Sequence, residues 1–104
     1  MDLNQMAENL DIIKADFLEM VMLLVSTSQK DVLEIEAGLA SKKADQVAAA
    51  AHSIKGAAGT LGFITLSQKA FDLEQAARAG RLSGLEGVKK EIKAQIELIA
   101  RAVA

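Results

Sequence analysis

The chain has no cysteine, proline, tryptophan or tyrosine, and its only aromatic side chains are Phe17, Phe63 and Phe71. The lack of cysteine excludes a disulfide framework, thiol redox chemistry and a cysteine-ligated metal. With proline absent and Ala, Leu, Lys and Glu in surplus, helix should dominate. No one sign of charge prevails: 12 Lys and Arg stand against 14 Asp and Glu, a formal net charge of −2. Dedicated binders of nucleic acid or anionic membranes usually show a clustered basic face, so neither partner is expected. The apolar run from Met20 to Val25 is far shorter than the roughly 18 residues of a membrane span. Asp2 and Glu8 are out of place in a signal peptide. Cytoplasmic residence is the expectation.

A length of 104 residues fits one domain, 1–104, built on one core. Leu10, Ile13, Phe17, Val21, Leu24, Val32, Ile35 and Leu39 recur at helical spacing, interrupted by Ser28, and predict one long helix or two in line. Met1 to Asn9 is compatible with a separate short helix over one end. After the polar break Ser41-Lys42-Lys43, an alanine-rich helix runs from Ala44 to Leu61 and ends near Gly62. Thr65 with Gln68 reads as a capping box that opens a third helix, ended by Gly80, with Leu66, Ala70, Leu73 and Ala77 on its buried stripe. Ser83 with Glu86 repeats the signal before a fourth, whose stripe is Leu85, Val88, Ile92, Ile99 and Val103. The expected fold is all-α, an antiparallel up-down four-helix bundle with room for the short N-terminal helix, and a monomer.

The single histidine, His52, falls in the second helix. At about 100° per residue, Val47, Ala50, Ile54, Ala57 and Leu61 lie opposite it and form a core stripe, so His52 faces outward. Asp45, Ala48, Ala49, Lys55, Gly56 and Gly59 share its face, leaving nothing bulky to shield the imidazole. Each interior helical glycine costs about 1 kcal/mol relative to alanine, and two of them here call for a reason beyond helix formation. Close approach of a partner is one reason, close helix packing another. A neutral imidazole is a nucleophile that can form a covalent intermediate, and Lys55, three residues on, can offset the charge of a phosphoryl group. A lone histidine on a solvated helix face is, on periodicity alone, more often an ordinary surface residue. One imidazole with Asp45 seven residues away gives too few ligands for a metal site, and no paired base or oxyanion site of a hydrolase is legible.

The segment Ala51-His52-Ser53-Ile54-Lys55-Gly56, followed by Leu61-Gly62, Leu66 and Leu73-Glu74, resembles the histidine-phosphotransfer (HPt) family in its H-x-x-K-G motif and downstream spacing. Ile54 stands where that family often has leucine. The resemblance implies that His52 is phosphorylated through Nε2, that Lys55 assists electrostatically, and that Gly56 keeps the approach open. It also implies that Glu74 hydrogen-bonds the other ring nitrogen and sets the tautomer; an acid paired with Arg78 at i+4 is the plain alternative. By the same resemblance the partners are response-regulator receiver domains, some in a hybrid sensor kinase. Those receivers supply Mg²⁺, and this chain needs no cofactor. It would be a phosphocarrier in a two-component phosphorelay and not an enzyme, in keeping with the absence of a GxxxxGK[ST] loop.

Leu18, Met22 and Leu33 lie more than about 90° from Phe17 on the first long helix, which marks them as candidates to face a partner beside Ala48, Ala49 and Gly59. A wide buried face under the N-terminal segment would also explain them. Lys42 and Lys43 could steer an acidic receiver. Two other readings compete: a helical adaptor or dimerisation module whose motif match is accidental, and the phosphotransfer domain of a chemotaxis-type histidine kinase.

Overall fold

A computed structural model describes residues 1–104. It contains five helices and no strand: α1 (Leu3–Asn9), α2 (Lys14–Ala40), α3 (Ala44–Leu61), α4 (Ile64–Arg78) and α5 (Glu86–Val103). Helices α2 to α5 form the antiparallel bundle, with α3 packed between α2 and α4 and with α5 closing the ring against both of these. The 27 residues of α2 pass through the buried Ser28 without a break. At 1.5 Å per residue they span about 40 Å, which sets the 41 Å long axis of the molecule. The extra length of α2 beyond its neighbours is met by α1, whose Ala7 joins the core.

Each helix buries the stripe that its periodicity marks out, with local departures. Phe17, Val21, Leu24, Val32 and Ile35 of α2 are buried, but Leu10 and Ile13 are exposed because α2 begins only at Lys14. Asp11 adopts a left-handed φ of 55° between α1 and α2, a conformation that its short polar side chain tolerates and that stops the first helix. Ile96 is buried on α5 beside Ile92 and Ile99. The predicted capping boxes do not form. Helix α4 starts at Ile64, which carries Thr65 into its first turn, and α5 starts after Leu85; neither N-cap makes a side-chain bond. The Gln68 amide instead donates to Asp72 Oδ1 at 3.2 Å. Helix α3 does end on Gly62, whose φ of 89° suits a residue without a Cβ. No helix is long and apolar enough to cross a membrane.

Candidate functional site

Helix α3 has a neighbour on each flank, and this placement shapes the surroundings of His52. On one side α4 brings the small core residues Ala70 and Ala77 into the packing, which suits a close approach of the two helices. Ala51 and Ala58 of α3 are buried there as well. The His52 side chain remains 59 % exposed. On the other side of the ring, a Cβ added at Gly56 would meet nothing within 4 Å.

Glu74 of α4 reaches across the seam and is only 4 % exposed. Its Oε2 lies 2.9 Å from His52 Nδ1 and accepts two bonds from Arg78, at 2.9 Å from Nε and 2.7 Å from Nη2. Oε1 forms an ion pair with Lys55 Nζ at 2.9 Å, placed off the axis of a well-directed hydrogen bond. Burial alone would push this carboxyl up. The contacts from Lys55, then Arg78, then His52 outweigh it and hold the group down at about 2. Glu74 is therefore an anion at neutral pH, able only to accept. The hydrogen in its bond to the imidazole belongs to Nδ1, which leaves Nε2 of the neutral ring with a free lone pair.

A family model described as "Hpt domain" matches residues 19–102. The chain belongs to the Hpt domain family. Hpt domains serve histidine phosphotransfer in phosphorelay signalling. The crystal structure of histidine-containing phosphotransfer protein B (HptB) from Pseudomonas aeruginosa PAO1 matches with a TM-score of 0.86 at 19 % identity, covering 99 % of this chain and 90 % of that one. At that identity the likeness is one of fold. A comparison with curated protein sequences gives no match.

Within this Hpt domain, His52, Lys55 and Glu74 lie together, and Gly56 sits one turn along on the open side of the ring. Ala49 is exposed. Ala48 is not: at 3 % exposure it is part of the core, because α4 lies against that flank of α3 and the unrolling of a single helix takes no account of a neighbour. Gly59 is exposed, yet a Cβ there would lie 3.2 Å from Ser67 Oγ of α4, so its small size serves the α3–α4 approach. Lys42 and Lys43 are exposed in the α2–α3 connection, about two and a half to three turns of helix from His52.

Leu18, Met22 and Leu33 are on the wrong side of α2 to flank His52. Leu18 is half-buried in a hollow with Met1 to Asn4 and the C-terminal end of α5. Leu33 lines the groove between α2 and α5. Met22 is exposed but shares their side by helical phase. The apolar hollow beside Gly56 is instead lined from α2 by Met20, Leu23, Leu24 and Thr27 and from α3 by Ala57, Thr60 and Leu61. Met20 and Leu23 are exposed. Their relation to His52 follows from the α2–α3 register, which polar pairs mark: Gln46 Nε2 donates to Glu34 Oε2 at 2.9 Å and Ser53 Oγ to Asp31 Oδ2 at 2.7 Å. One further step along both helices brings Thr27 to Gly56. The sequence holds those pairs, but nothing in it says which residues are partners.

Proposed function

We propose that this Hpt domain is a phosphocarrier that takes a phosphoryl group onto His52 Nε2 from the phosphoaspartate of one receiver domain and passes it to another. The observation that carries the reading is the bond from His52 Nδ1 to Glu74, which leaves Nε2 on the exposed side of the ring with its lone pair. In the transfer, that lone pair forms the N–P bond as the acyl O–P bond breaks, and the electron pair departs on the aspartate carboxylate. The reverse step unloads the carrier. Such chemistry asks mainly for position and charge stabilisation. Lys55 and Arg78 together bring two positive charges against the one of Glu74, an excess suited to a phosphoryl dianion.

The receiver is taken to dock over Gly56 and the hollow formed by Met20, Leu23, Thr27 and Thr60, where apolar side chains stand exposed next to open space. Mg²⁺ and the aspartate would come with the receiver, so that the carrier contributes a nucleophile and cations only. The test is incubation with a panel of phosphorylated receivers. Acid-labile, alkali-stable label should appear on this chain and vanish in His52→Gln. Label that survives His52→Gln, or a chain that no receiver labels, would overturn the reading.

A further inference from the structure

One face of α4 holds Lys55 at three successive points. Ser67 Oγ donates to the Lys55 carbonyl oxygen at 3.0 Å. The Phe71 ring lies beneath the ammonium, with Nζ 5.5 Å from its centroid, and Glu74 Oε1 is 2.9 Å from the same Nζ. Positions 67, 71 and 74 follow the i, i+4, i+7 spacing of a single helix face. Packing accounts for the other two phenylalanines, which are buried, whereas Phe71 remains 39 % exposed.

We propose that Phe71 is a positioning residue for phosphoryl transfer, its ring holding the Lys55 ammonium beside His52 while that ammonium leaves Glu74 Oε1 for an oxygen of the phosphoryl group. The inference rests on His52 as the phosphoryl carrier. Lysine has a long flexible stem and a strongly hydrated head, so an ammonium released from Glu74 tends to return to water. An aromatic face attracts a cation within about 6 Å through its quadrupole. It has no lone pair with which to compete against the phosphoryl oxygens and no charge to repel them, as an acid at the same place would. Glu74 can release Lys55 because Arg78 donates twice to Oε2 and keeps the carboxylate partnered. Phe71 takes part in no bond making: the N–P bond forms at His52 whatever occupies position 71.

The probe is potassium phosphoramidate, a small donor whose P–N bond breaks with loss of ammonia as the bond to His52 Nε2 forms. It removes protein docking from the measurement. Labelling rates are compared for Phe71→Leu and Phe71→Tyr in the unaltered and Lys55→Met backgrounds, with thermal melts to verify the fold. Phe71→Leu should slow labelling about two- to five-fold, the range of an exposed cation–π contact. Phe71→Tyr should preserve the rate, and Phe71→Leu should have no further effect once Lys55 is methionine. An unchanged rate in Phe71→Leu, or an equal loss in both backgrounds, overturns the inference. If the unaltered chain takes no label on His52, the functional reading fails and this inference with it.

Discussion

His52 Nδ1 and Glu74 Oε2 stand 2.9 Å apart across the seam between α3 and α4, so the tautomer of the imidazole is set by a residue from another helix. Because His52 is the chain's only histidine, ¹⁵N NMR of the imidazole needs no assignment. Near pH 8 it should show the Nδ1–H tautomer alone. In Glu74→Gln the side-chain amide can either accept from or donate to Nδ1. Both tautomers should then appear, and transfer should slow on the order of ten-fold, as when a partner that orients a histidine is lost.

The depressed pKa of Glu74 has a definite sign for folding. Its folded value of about 2 lies below the reference 4.5, so its contribution to stability is complete above pH 4.5 and is lost as pH falls toward 2. Urea unfolding between pH 6 and pH 2.5 should show the stability gap between the unaltered chain and Glu74→Gln closing across that window. A gap that stays constant would show that the ion pairs contribute nothing through this ionisation.

Gly56 separates function from stability. A Cβ there meets no atom within 4 Å, so Gly56→Ala should raise stability by roughly 0.5–1 kcal/mol through helix propensity. Gly56→Leu should leave the melting temperature near that of the unaltered chain. Its transfer from a phosphorylated receiver should fall more than about ten-fold, the rate equivalent of about 1.4 kcal/mol at a crowded interface. Normal transfer by Gly56→Leu would remove the open flank from the account.

The two flanks of α2 can be told apart by paired substitutions. Leu23→Asp, in the hollow beside Gly56, should raise the receiver concentration for half-maximal transfer about ten-fold, as expected when an apolar contact residue is replaced by a charge. Met22→Asp, on the opposite flank, should leave it unchanged. The reverse pattern would move the docking face to the α2–α5 side.

Where α2 turns into α3, a Cβ at Gly38 would lie 2.7 Å from Val47 Cγ2 and 3.3 Å from the Lys43 carbonyl oxygen. Gly38→Ala should therefore destabilise the bundle by about 1–3 kcal/mol, the range of overpacking, despite the better helix propensity of alanine. Chemical denaturation measures it directly.

The bundle was legible because apolar residues at helical spacing report burial directly: Phe17, Val21 and Ile35 on α2, or Leu66, Ala70 and Leu73 on α4, have no other place to go. The H-x-x-K-G motif and the position of Glu74 pointed to the three side chains that meet on α3 and α4. Features that depend on how two helices sit together were not legible. Ala48 read as open because its covering comes from α4, and Leu18 and Met22 read as candidates to face a partner, with burial under the N-terminal segment as the alternative, because no sequence signal gives the rotation of α2 against α3. Thr65 and Ser83 formed no caps because α4 and α5 begin at positions chosen by packing, at Ile64 and Glu86.

Since the anchor of the His52 ring lies on the adjacent helix, a shift of α4 against α3 is enough to free the imidazole while both helices stay intact. A substitution that loosens only that seam should keep most of its circular dichroism and lose the single-tautomer imidazole signal.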